Sequence, residues 1–187
     1  KTGVARDRYN RISQLMSAIM EVLRAEGWNK PSLAAAINDD PHATECAGRI
    51  LAASRHPLYK PTELLRRFEQ FVVEHQRLTP AVADALEQRD WEGLGIAVDS
   101  SQRMADAGLG NQVPETIALA RMARQLGAKA ASAFGAGFGG SVWAMVNRYS
   151  AERFVSQWRD RYLAAFPHRA DIAEFFITCP VSGAVVI

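Results

Sequence analysis

Apolar residues recur at helical spacing through the first two thirds of the chain. Ile12, Leu15, Met16, Ile19, Met20 and Leu23 stand at i, i+3, i+4, i+7, i+8 and i+11, one face of a long helix. Gly27, Asn29 and Pro31 end it. Ala43, Cys46, Ala47, Ile50 and Leu51 repeat the pattern beyond Asp39-Asp40-Pro41. Leu64, Leu65, Phe68, Phe71 and Val72 repeat it again beyond Pro61. Thr79-Pro80 separates that helix from a shorter one carrying Val82, Ala85 and Leu86. Trp91, Leu94 and Val98 mark the next, which stops where Gly108 and Gly110 interrupt the run from Asp106 to Asn111. Pro114 then opens a helix to about Leu126, since a proline in the first turn sacrifices no hydrogen bond.

The pattern changes after Gly127. Ala128 to Phe134 is small and apolar, and a glycine-rich run follows. Ser141 to Val146 is a short apolar stretch bounded by turn residues, which predicts a buried strand. Phe154, Val155, Trp158, Tyr162 and Ala165 form the inward face of a helix from about Ala151 to Phe166, with Ser150 as its expected N-cap. Phe175 to Thr178 and Ala184 to Ile187 read as two more strands around a turn at Pro180 and Gly183. The expectation is one α+β domain over residues 1–187. Its helical part covers about 8–126 and a β-β-α-β-β part about 128–187, with a mainly antiparallel sheet and helices packed on it.

Composition narrows the function. The chain has 187 residues, 48% hydrophobic and 22% charged, enough for a substantial core and unlike a disordered segment. A formal charge of +2 offers no phosphate-binding stripe, which argues against a nucleic-acid partner. Arg66-Arg67, flanked by Glu63 and Glu69, reads as a solvated helix face. No apolar run reaches the ~20 residues a membrane span requires, and no apolar stretch follows the charges at the start, so a membrane partner and a signal peptide are not expected. Cys46 and Cys179 form no Cys-x-x-Cys pair and read as buried thiols of a cytoplasmic protein. The histidines His42, His56, His75 and His168 have no structural-zinc spacing, so no metal ligand is assigned. His75 reads as a helix-surface or boundary histidine. The chain begins at Lys1 rather than Met, which raises the expectation of a longer parent protein.

The run Gly135-Ala136-Gly137-Phe138-Gly139-Gly140-Ser141 carries the candidate chemistry. Four glycines in six residues cost backbone entropy, so the fold must use what glycine alone permits: positive φ, or close approach of another group. Successive N–H groups in such a loop can cradle an anion. Gly135, Gly137 and Gly140 match the dinucleotide fingerprint G-x-G-x-x-G. That reading requires a helix at Ser141 to Asn147, where a strand is expected. A phosphate loop of the Gly-Lys-Ser/Thr type is absent. The plain alternative is a tight glycine hairpin with no ligand.

Gly127-Ala128-Lys129 through Phe134 to Val142 resembles the third signature motif of the galactokinases, members of the GHMP small-molecule kinase superfamily. Tyr9-Asn10-Arg11 resembles their Tyr-Asn-x-Arg. Phe71-Val72-Val73-Glu74-His75-Gln76-Arg77 resembles the helix with His-Val-x-x-Glu-x-x-Arg. Ser100-Ser101 and Val113-Pro114-Glu115-Thr116 resemble the Ser-His and Cys-Pro-Glu-Leu-Asp regions. The motifs keep their order over nearly the whole chain. The resemblance implies the C-terminal domain of a kinase that moves the γ-phosphoryl of ATP, with magnesium, onto the anomeric hydroxyl of a sugar. It implies that Gly135, Ala136, Gly137, Phe138, Gly139, Gly140 and Ser141 border the phosphate and sugar, and that Tyr9 lies against the sugar. It assigns no catalytic residue here. The family's catalytic aspartate and arginine and its serine/glycine-rich ATP loop belong to an N-terminal lobe, whose motifs this sequence lacks. The 187 residues are therefore expected to be catalytically incomplete alone, with that lobe as their partner. Phe134 and Ser101 depart from the family's small residue and histidine, which leaves the sugar open. The alternative is a non-catalytic sugar- or nucleotide-binding or regulatory module of the same fold.

Overall fold

The computed structural model describes residues 3–38, 40–135 and 137–180. The amphipathic face of α1 (Gly3–Ala25) packs on α3 (Ala43–Ala53) and α4 (Pro61–Val73), with α2 (Leu33–Asn38) closing one side. Ile19, Leu23, Leu51 and Leu64 are completely buried at this junction. At roughly 1.5–3 kcal/mol for each large apolar side chain, their burial dominates the local energetics. The periodicity does not announce α2, because six residues are too few to repeat a pattern. Ser32 marks its start, its hydroxyl accepting the Ala35 N–H at 3.2 Å.

Thr79-Pro80 does not separate two helices. α4 runs through a π-helical turn, Glu74–Leu78, directly into α5 (Thr79–Gln88). The π turn shifts the hydrogen-bond register, and Pro80 with its missing N–H falls in the first turn after the shift. Asp90 then caps α6 (Trp91–Met104), its carboxylate accepting the Gly93 N–H at 2.9 Å. The expected break at Asp106 to Asn111 is likewise a π-helical turn, Ala105–Leu109, closed by Gly110 in the left-handed region. Gly108 lies against α4. A Cβ there would sit 2.8 Å from Gln70 Cγ.

After α7 (Pro114–Gln125) come β1 (Ala130–Ala133) and β2 (Val142–Met145), antiparallel, with Ala130 opposite Met145 and Ala133 opposite Val142. Ala130 faces Ala85, Leu94 and Val98 of α5 and α6. Ala131 faces Ala120 and Ala123 of α7 and Phe154 and Trp158 of α8 (Ala151–Ala165). Small side chains let β1 lie between helices on both faces. The fold is thus helix-rich α+β with a small antiparallel sheet, two-stranded among the described residues. β2 is less buried than expected, with Trp143 38% exposed.

Several local expectations are corrected. Phe175 to Thr178 forms no strand among the described residues. Phe175 instead packs edge-on against Trp158, their ring centroids 5.4 Å apart. The expected strand Ala184 to Ile187 lies outside the described residues. Ser150 stands at the N-cap of α8, but its hydroxyl donates to the Asn147 carbonyl and does not cap the helix. Cys46 is half-buried and Cys179 exposed, so neither is a buried thiol. Arg66 is solvated, but Arg67 is drawn in. Its guanidinium donates to Gln70 Oε1, its Nε is buried without a partner, and burial lowers its pKa. Among the described residues no helix is long and apolar enough to cross a membrane.

Candidate functional site

The strand at Val142–Met145 removes the dinucleotide-binding reading, which needs a helix there. The glycine run is the connection between the two strands. Its neck is closed by the Phe134 N–H donating to the Ser141 carbonyl at 2.8 Å. Its middle is pinned from one side, where the Phe138 N–H donates to the Asn111 carbonyl. Gly137 is buried against the same residue. A Cβ on it would sit 2.3 Å from the Asn111 carbonyl oxygen and 2.7 Å from Asn111 Nδ2, so only glycine fits. Phe138 takes φ 57°, a left-handed conformation unusual for a bulky residue, and the Asn111 bond holds it there.

The other side of the loop is open. A Cβ at Gly135, Gly139 or Gly140 would meet nothing within 4 Å. Positive φ at Phe138, Gly139 and Gly140 carries the backbone through a conformation that glycine adopts freely, and the Gly139 and Gly140 positions stay open to a ligand. Ser141 is exposed at the exit, and Phe134 is 69% exposed at the entry. Ala136 lies outside the described residues. Tyr9 is on α1 and 47% exposed, and no described hydrogen bond ties it to the loop.

Asn111 is 7% exposed, and it belongs to a polar network that motif reading does not find. Gln102 Oε1 accepts the Ser132 hydroxyl and the Ala133 N–H, each at 2.9 Å. Gln102 Nε2 donates to Gln112 Oε1 at 3.0 Å, which also accepts the Thr116 hydroxyl at 2.9 Å. Gln112 Nε2 donates to Asn111 Oδ1 at 2.9 Å. Thr116 is buried, and Gln102 and Gln112 are half-buried. The one sequence signal for this network is the density of amide side chains on either side of Gly110. Beside the network, Ser101 donates its hydroxyl to Glu74 Oε1 at 2.6 Å. His75 stacks on Phe71 at the helix boundary, as expected.

An open groove of about 550 Å³ lies at the other end of β1, lined by Trp91, Asp99, Arg124 and Lys129 among others. Its most placed cation is committed internally. Arg124 Nε donates to both Asp99 oxygens at 2.9 and 3.1 Å, and Arg124 Nη1 donates to the carbonyls of Ala128 and Lys129. That is a buttress between α6, α7 and β1, so the glycine loop is the better candidate site. The described residues bring together no group of three or more His, Cys, Asp or Glu side chains that could hold a metal ion.

Residues 82–164, from α5 to α8, match the family described as GHMP kinases C terminal. A galactokinase from Thermococcus kodakarensis is 29% identical over 151 residues, 78% of this chain and 42% of its own length. A galactokinase from Pyrococcus furiosus is 30% identical over 126 residues, 67% of this chain and 35% of its own length. The chain thus spans well under half the length of these relatives. The crystal structure of Lactococcus lactis galactokinase complexed with galactose superposes with a TM-score of 0.69 at 18% identity, covering 86% of this chain and 38% of that one. At that identity the likeness concerns the fold.

Proposed function

We propose that residues 1–187, of which 82–164 match the family described as GHMP kinases C terminal, act as a single domain, the C-terminal part of a galactokinase-like sugar kinase. In this reading ATP, with magnesium, supplies a γ-phosphoryl that passes to the anomeric hydroxyl of a sugar in the cytoplasm. The observation that carries it is the half-pinned loop: Gly137 and Phe138 are fixed on Asn111 while Gly139 and Gly140 face open space.

Phosphoryl transfer is mostly positioning and charge stabilisation. Fixed backbone N–H groups suit it, because they meet phosphate oxygens without reorganising as charge develops. The exposed Ser141 adds a hydroxyl donor at the same rim. Tyr9 offers a sugar both a flat apolar face and a hydroxyl. The carboxylate that activates the acceptor hydroxyl and the magnesium ligands come from chain outside these 187 residues, so this domain alone is inactive. Ser101 in place of the family's histidine, bonded to Glu74, leaves the identity of the sugar open.

An NMR titration tests the reading. ATP should shift the backbone amides of Gly135 to Ser141 more than those of α1 to α4. Saturating ATP that moves none of the loop amides would remove the loop from phosphate binding.

A further inference from the structure

The amide network beside the loop has a fixed polarity. The Ala133 N–H can only donate, so the Gln102 atom facing it is Oε1. Gln102 Nε2 then faces Gln112 and donates, which makes the receiving Gln112 atom Oε1. Gln112 Nε2 must consequently face Asn111 and donate to its Oδ1. The Asn111 main chain in turn accepts the Phe138 N–H, and Gly137 is packed on it. Each side-chain amide orientation dictates the next, from the end of β1 to Asn111, the residue whose main-chain carbonyl holds the middle of the loop. Gln102 is the one member that touches the strand leading into the loop and also starts the chain that ends beneath its centre.

We propose that Gln102 is the positioning residue of the glycine loop, setting the direction of the loop's peptide groups through Gln112 and Asn111. Gln102 touches no ligand in this account; it acts through the loop. The polarity supplies a specific test. Gln102→Glu keeps the acceptor toward Ala133 but sets a carboxylate oxygen against Gln112 Oε1. Turning the Gln112 amide to compensate sets its oxygen against Asn111 Oδ1, so the conflict moves on to the loop. Protonating the introduced carboxyl restores a donor and removes the conflict.

Hydrogen-exchange protection factors in the protein at its natural length read this out. In Gln102→Glu at neutral pH, protection of the Phe138 and Phe134 amides should fall at least tenfold, while the Leu64 and Phe68 amides of α4 stay within twofold of wild type. Below the pKa of the introduced carboxyl, loop protection should return toward wild type. Gln102→Leu should loosen the loop at every pH. Loop protection unchanged in both folded variants, or a fall shared equally by α4, or no recovery at low pH, would overturn the proposal. The benefit to phosphate binding rests on the kinase reading, whereas the exchange measurement does not. A loosened loop with unchanged ATP affinity would support the positioning role and count against the loop as a phosphate site.

Discussion

Gly137 and Asn111 are in such close contact that a methyl group on Gly137 would sit 2.3 Å from the Asn111 carbonyl oxygen. Gly135, two residues earlier at the same φ of 78°, faces open space. The two positions separate steric from conformational demand. Gly135→Ala should cost roughly 1–2 kcal/mol for a left-handed alanine. Gly137→Ala should add a further 1–3 kcal/mol, about the cost of overpacking, because Asn111 must move with its amide neighbours. Urea denaturation of the two variants gives the comparison. Equal losses would mean that the loop is not clamped on Asn111.

Arg124 and Asp99 form an ion pair in which one Nε–H is shared between both carboxylate oxygens, each side chain 31% exposed. The pair alone is expected to matter little, since half-exposed ion pairs are screened. Arg124 also holds the carbonyls of Ala128 and Lys129, where the chain enters β1. Asp99→Asn should therefore cost no more than about 1 kcal/mol. Arg124→Met should cost roughly 2–3 kcal/mol, in the range of charged hydrogen bonds. Thermal melts of both variants check the order.

Glu115 gives the fold an acid limb. Its carboxylate accepts from Arg169 Nε at 3.0 Å and Nη2 at 2.6 Å, and its side chain is 18% exposed. The Arg169 bonds hold its pKa below the ordinary glutamate value of 4.5. A carboxylate depressed in the folded state stabilises fully above the unfolded value, and the contribution disappears as pH falls through the folded value. Glu115→Gln should therefore be less stable than wild type at pH 7, with the gap closing below 4.5. Denaturant midpoints from pH 7 to 3 test it, and a gap constant across that range would contradict it.

Trp158 joins α8 to α7 in two ways. It is 8% exposed against Phe154 and Phe175, and its Nε1–H donates to the Leu119 carbonyl at 3.0 Å. Trp158→Phe keeps an aromatic ring and loses the bond, so it should cost on the order of 1–2 kcal/mol. Trp158→Ala should cost about 3–5 kcal/mol. Chemical denaturation of both separates the bond from the packing.

The residues that decided the fold differ in how visible they are in sequence. Ile19, Leu23, Leu51 and Leu64 repeat at helical spacing, so the helices of the first cluster are readable directly. The π turns at Glu74 and Ala105 are not, because one extra residue in a turn leaves the apolar stripe nearly intact. Phe175-Phe176-Ile177 resembles a strand by composition, but Phe175 is used by Trp158 and Tyr162 while Phe176 is 79% exposed. The glycine loop is visible as a density of glycine. Its clamp is not, because Asn111, Gln102 and Gln112 carry no periodicity and meet only through the tertiary fold.

The most direct test of the kinase reading is turnover by the protein at its natural length. ATP, magnesium and a panel of hexoses beginning with galactose would be followed by phosphorus NMR. The account predicts ATP-dependent formation of a sugar 1-phosphate, with kcat/KM reduced at least tenfold in Gly137→Ala. A folded protein that binds ATP and phosphorylates no sugar in the panel would contradict it.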